Sequence, residues 1–272
     1  MTASLPPLIL VGCGRMGSAM LAAWLEQGLA RSVVVDPAPR LSPGATAAIT
    51  VTDAGKIPAG FAPEAVVFAV KPQQADAVLP EFARFASSSV FLSIMAGRTH
   101  ASLQAGLGPG GGHAAAIVRA MPNTPAAIRA GTTVAYAGPG VGAARKALCG
   151  RLLEAVGRVA WVADESLLDA VTAVSGSGPA YVFLLAELLE RAGIEQGLPA
   201  DLARLLARRT VSGAGALLAA SEEDAAALRR AVTSPGGTTE RALAVLMDEA
   251  AWPGTLSRAI AAATLRSREL AG

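Results

Sequence analysis

Leu8-Ile9-Leu10-Val11-Gly12-Cys13-Gly14-Arg15-Met16-Gly17 is the most informative segment of this 272-residue chain. Four apolar residues in a row describe a strand buried on both faces, as strands of parallel sheets are. The glycines that follow stand at G-x-G-x-x-G spacing, and a helical pattern over 16–27 closes at Gly28. Between a strand and a helix, each glycine has a task. Gly12 permits the tight turn, Gly14 lets backbone approach a pyrophosphate, and Gly17 lets the helix pack on the strand. Arg15 and Met16 share that turn, so the segment from Gly12 to Gly17 forms the first group of candidate cofactor-binding residues.

A second apolar run, 33–35, ends in Asp36, near the distance at which a ribose-binding acid is expected. A carboxylate there accepts from a ribose 2′-hydroxyl and repels a 2′-phosphate, whereas Arg40 would welcome that phosphate. This tilts the expectation toward NADH and leaves NADPH open. The competing reading makes Asp36 a turn residue before Pro37. Strand patterns recur at 65–70, 90–94, 117–120, 132–137 and 158–162, with helical patterns at 73–86, 99–107 and 141–156 between them. Alternation of this kind implies an α/β, doubly wound sheet over 1–163. Ligands of such sheets bind beyond the carboxyl ends of the strands. Three of those ends are Val70-Lys71-Pro72-Gln73, Met95-Ala96-Gly97 and Met121-Pro122-Asn123-Thr124-Pro125. They make Val70, Lys71, Pro72, Ala96, Gly97 and Asn123 further candidates for the cofactor. Lys71, a lone cation at the ligand edge, is also a catalytic candidate, against the plainer reading of a solvated strand end.

After Asp164 the strand signals stop, and 164–272 reads as an all-α domain. Its first landmark, Thr172-Ala173-Val174-Ser175-Gly176-Ser177-Gly178-Pro179-Ala180-Tyr181, reads as a Ser/Gly loop entering a helix at Pro179. That helix is apolar over more than one face, a long helix follows Pro199, and a final one begins at Thr255. Helices so poor in charge bury well only as an intertwined dimer. Near the end, Val232-Thr233-Ser234-Pro235-Gly236-Gly237-Thr238-Thr239-Glu240 reads as a loop feeding a helix amino terminus. Unpaired N–H groups and the helix dipole hold an anion there without a basic side chain. The alternative is an ordinary capped turn with Thr239 as N-cap.

Hydrophobic residues make up 52% and charged residues 16% of the chain, which excludes disorder. A net charge of +2 with no basic block gives no footprint for nucleic acid or an anionic membrane. Cys13 and Cys149 are too few for a disulfide framework or zinc site and read as buried fillers. His100 and His113 have no partner at metal-ligand spacing, so no metal is expected. Residues 1–7 carry no basic segment and the apolar run 8–11 is too short for a signal or membrane span, which points to the cytoplasm.

In this order, the segments 12–17, Ala69-Val70-Lys71-Pro72-Gln73, Arg119-Ala120-Met121-Pro122-Asn123-Thr124-Pro125-Ala126, 172–181 and 232–239 resemble the pyrroline-5-carboxylate reductases over nearly the whole chain. The last segment is the family signature; the first is shared with many dehydrogenases. The resemblance implies an N-terminal Rossmann domain followed by an all-α dimerisation domain, with NADPH or NADH as cofactor. It implies a small-molecule substrate and a homo-oligomer whose dimers assemble further into decamers. Mapped onto matching positions, it puts the substrate carboxylate at Ser234, Gly236, Gly237, Thr238 and Thr239, with Ser177 nearby. Thr239, Lys71 and Glu222 become catalytic candidates, although an exposed acid at a helix start is the plainer account of Glu222. Two positions depart from the family: Ala225, where many relatives have proline, and Asp36, where many bind NADPH. Rival readings are an imine reductase or β-hydroxyacid dehydrogenase and a non-catalytic NAD(P) sensor. The segment 179–190 lacks the lysine that the hydroxyacid enzymes use.

Overall fold

Strand β1 (Leu8–Val11) is buried along its whole length. Because side chains alternate across a strand, Leu8 and Leu10 enter one hydrophobic cluster and Ile9 and Val11 a second on the opposite face. The computed structural model describes residues 4–41, 48–108 and 114–271, so His113 and the first residues of the 1–7 segment lie outside the described residues. The chain forms two compact units, Met1–Gly176 with Ala263–Gly272, and Ser177–Ala262.

The first unit is built on an eight-stranded sheet of order β3-β2-β1-β4-β5-β6-β7-β8. Its other strands are β2 (Ser32–Val35), β3 (Ala48–Val51), β4 (Ala65–Phe68), β5 (Val90–Ser93), β6 (Ala116–Met121), β7 (Gly131–Ala137) and β8 (Gly157–Val162). Every pair is parallel except β6 with β7. The short link through the 3₁₀ turn Thr124–Ile128 explains that exception, since a parallel neighbour would need a full crossover. Helices α1 (Arg15–Glu26) and α4 (Ala143–Glu154) cover one face, joined by the Trp24 indole, which donates to the Leu152 carbonyl at 2.7 Å. The other face carries α2 (Ala75–Val78), α3 (His100–Leu107) and a cluster in which Phe68 meets Phe82 edge-on and stacks on Phe91.

Two segments differ from their sequence patterns. The helix expected over 73–86 is broken into a 3₁₀ turn Pro72–Gln74, the single turn α2 and a 3₁₀ run Leu79–Phe85, because Pro80 has no N–H to continue an α-helix. The Ser/Gly loop expected from Thr172 is instead a π-helical turn, Thr172–Gly176, continuing directly from α5 (Leu167–Val171). These residues belong to the first compact unit, which ends after Gly176. A part-buried ion pair ties this segment to the sheet. Arg119 of β6 donates to Glu165 Oε1 at 2.6 Å, and the same oxygen accepts from the His100 N–H at 2.5 Å. Asp169 is held in turn by the Ser267 hydroxyl at 2.7 Å, which draws the end of the last helix into this unit.

The second unit contains α6 (Gly178–Glu195), α7 (Ala200–Ala220), α8 (Ala225–Ala231), α9 (Thr238–Leu246) and the start of α10 (Trp252–Ala271). Among its described residues only Ala203 and Ala207 count as buried hydrophobics, while Phe183 is 68% exposed and Leu217 56%. Among the described residues, one run, Leu167–Glu195, is long and apolar enough to cross a membrane by length and composition. An apolar surface this extensive marks a face that another molecule covers.

Two outcomes test this framework. Glu165→Ala leaves the Arg119 guanidinium buried beside nothing, and urea unfolding is expected to show a loss of about 3 kcal/mol, the low end for a broken buried pair because Glu165 is partly exposed. Burial pushes the Cys149 thiol from its ordinary value of 9.0 up to about 12. Above pH 9 the unfolded chain loses that proton and the folded chain keeps it, so stability falls as pH rises, by up to about 1.4 kcal/mol per unit. Cys149→Ala is expected to flatten most of that slope in thermal unfolding followed from pH 8 to 11.

Candidate cofactor cleft and anion-binding loop

The β1–α1 turn is held by close backbone packing. Gly12 adopts φ +91°, and a Cβ there would come within 2.8 Å of Ala69 and Val70. On Gly17 a Cβ would collide with the Gly12 carbonyl oxygen, whereas Gly14 faces open space. The turn therefore presents bare backbone at the amino terminus of α1, the geometry that seats a pyrophosphate.

From this turn a cleft of about 670 Å³ runs along the carboxyl ends of the strands. Gly14, Arg15, Met16 and Arg40 line one end, Ala69, Val70, Lys71 and Pro72 the middle with Ile94, Met95 and Ala96, and Met121, Pro122, Asn123, Thr124 and Gly176 the far end. Eight positions expected at the cofactor thus come together here: Gly14, Arg15, Met16, Val70, Lys71, Pro72, Ala96 and Asn123. The backbone turn, the size of the cleft and two arginines at its β2 end suit a dinucleotide.

The remaining expected positions are not among the residues lining this cleft. Gly12 and Gly17 shape the turn. Gly97, at φ +73°, is buried and lets Leu270 of α10 come close, since a Cβ would meet that residue at 3.1 Å. Asp36 accepts from the Cys13 N–H at 2.6 Å and from the Ala38 N–H at 2.7 Å, so both carboxylate oxygens brace the β1 and β2 loops. Gly176 was hidden in sequence because a π-turn has no composition signal separating it from a Ser/Gly loop. Lys71 is exposed at the cleft, its N–H donating to Gln74 Oε1 at 3.3 Å.

In the second unit, α9 follows Ser234-Pro235-Gly236-Gly237 as the sequence pattern places it, but Gly237, not Thr239, is the N-cap. The Gly236 N–H donates to Glu240 Oε2 at 2.8 Å and the Gly237 N–H to the Ser234 carbonyl at 3.1 Å. Both N–H groups assigned to the substrate at those glycines are thus engaged within the chain. The N–H groups of Thr238 and Thr239 have no partner among the described residues. Glu222 is exposed ahead of α8, whose N-cap is Asp224, and Ser177 stands at the N-cap position of α6.

Comparison with known proteins separates the two halves. Residues 165–270 match the family model "Pyrroline-5-carboxylate reductase dimerisation", and residues 8–97 match "NADP oxidoreductase coenzyme F420-dependent". The first supports self-association through the helical half. A pyrroline-5-carboxylate reductase of Pseudomonas aeruginosa is 38% identical over 98% of both chains. Among solved structures, that of a Coxiella burnetii pyrroline-5-carboxylate reductase superposes with a TM-score of 0.85 at 33% identity, over 97% of this chain and 98% of the other. The Plasmodium falciparum pyrroline carboxylate reductase with NADP bound superposes at 0.82 with 26% identity, over 98% of both. With this similarity running from the glycine turn to the end of the helical unit, the chain belongs to the pyrroline-5-carboxylate reductase family.

Proposed function

We propose that the chain reduces 1-pyrroline-5-carboxylate to L-proline at the expense of NAD(P)H, the last step of proline biosynthesis. The observation that carries this reading is the pairing, in one chain, of a dinucleotide cleft with a loop whose Thr238 and Thr239 N–H groups are free. When bound, the cofactor supplies a hydride for the imine carbon. The chain's own work is positioning. Gly14 and Arg15 hold the pyrophosphate at the amino terminus of α1. The free N–H groups of Thr238 and Thr239, with the Thr239 and Ser234 hydroxyls, hold the substrate carboxylate, and Ser177 adds a hydroxyl. Protonation of the imine is favoured by the negative charge of Glu222, and Lys71 at the cleft is the third catalytic candidate.

Each Asp36 oxygen accepts one backbone N–H and keeps a lone pair for a ribose hydroxyl, while Arg15 and Arg40 line the same end of the cleft and support binding of a 2′-phosphate, as NADPH carries. The chain works in the cytoplasm as a homo-oligomer, with a dimer formed through the apolar helices as its unit and the decamer as its full assembly.

Turnover of pyrroline-5-carboxylate measured with NADPH and with NADH tests the reading directly. Absence of turnover with either would leave a sensor. Thr239→Val is expected to raise KM for pyrroline-5-carboxylate about tenfold, the value of a hydrogen bond to a charged group, with cofactor affinity unchanged. Arg40→Ala is expected to lower the ratio of kcat/KM for NADPH to that for NADH about tenfold.

A further inference from the structure

At the far end of the cleft a chain of hydrogen bonds has a forced polarity. The Thr132 backbone N–H can only donate, and it does so to Asn123 Oδ1 at 2.9 Å. The Asn123 amide is thereby oriented, with Nδ2 donating to Ser175 Oγ at 3.2 Å. An amide nitrogen cannot accept, so Ser175 spends a lone pair on Asn123 and its own proton must point elsewhere. Ser175 sits in the π-helical turn one residue before Gly176, and both Gly176 and Asn123 line the cleft. The wide turn matters because an inserted residue swings this segment out of α-helical register, a device found often at functional sites.

We propose that Ser175 is a cofactor-binding residue whose hydroxyl donates to the carboxamide oxygen of the nicotinamide, and that Asn123 is the positioning residue that aims it. The inference rests on the cleft holding a nicotinamide dinucleotide. In a doubly wound sheet of this strand order, the pyrophosphate on the β1 turn sends the nicotinamide half past β4 toward β5 and β6. The carboxamide oxygen is a neutral acceptor carried by that half, and the Ser175 hydroxyl, beside the cleft-lining Gly176, is a neutral donor whose proton Asn123 does not take. This redefines Asn123: its amide reads the protein first, and it acts on the cofactor through the serine.

The experiment measures binding of NADPH and of 2′-phospho-ADP-ribose, which lacks the nicotinamide, by titration calorimetry on the intact oligomer. Ser175→Ala deletes the proton. Asn123→Asp keeps the shape and the acceptor for Thr132 but presents an oxygen to Ser175, so the hydroxyl turns inward. Both variants are expected to weaken NADPH about tenfold more than 2′-phospho-ADP-ribose, a loss of about 1.4 kcal/mol. Charge repulsion from the aspartate falls on both nucleotides and cancels in that ratio. Ser175→Thr is expected to retain the preference, and the double variant to lose little beyond either single one. Equal weakening of both nucleotides, or an Asn123→Asp protein with the wild-type ratio, would overturn the inference while leaving the cofactor cleft standing. A wild-type protein that bound neither nucleotide would overturn the cleft and the inference together.

Discussion

The α-carbon of Gly17 lies so near the Gly12 carbonyl oxygen that no side chain fits between them, and the location of the cleft follows from this nearness. With α1 drawn against β1, the turn joining them cannot fold over the strand ends, and Gly14 faces open space where β1 meets β4. That is where the strand order reverses direction from the starting strand, and a crevice opens there because successive connections leave on opposite sides. The two hydrophobic clusters on the faces of the sheet hold the strand ends in register, so the residues lining the crevice are placed by a rigid support.

The helical half meets a different demand. Its helices are joined by short connections and pack in part against each other, with Glu190 of α6 bonded to Arg204 of α7 at 3.0 Å, yet their apolar side chains stay largely on the surface. A single copy cannot remove that surface from water, so the free energy for ordering these helices comes from self-association. Association therefore stabilises this unit by mass action, and with it the first turn of α9, where the Thr238 and Thr239 N–H groups lie.

Much of this was legible in the amino-acid sequence, and the reasons differ by element. The glycine turn was legible because steric demands at Gly12 and Gly17 admit one residue type. The strands were legible because parallel burial requires unbroken apolar runs, although β3, an edge strand only half buried, left no such run. What escaped were features set by tertiary partners. Whether Asp36 faces a ribose or the Cys13 amide depends on how a loop closes, and both options use the same carboxylate. The engagement of the Gly236 amide by Glu240 is a side-chain choice that a capping pattern permits without requiring it. The ion pair of Arg119 with Glu165 joins residues far apart in the chain, and the π-turn has no pattern that separates it from a Ser/Gly loop.

The return of α10 to the first unit, through Ser267 on Asp169 and Leu270 beside Gly97, makes the helical unit an insertion within the dinucleotide-binding one. On a ribosome emitting the chain from its amino terminus, the sheet and its glycine turn emerge early, but their last supporting segment emerges after every helix of the insertion. Maturation of the nucleotide pocket is therefore coupled by connectivity to completion of the segment that recruits a second subunit.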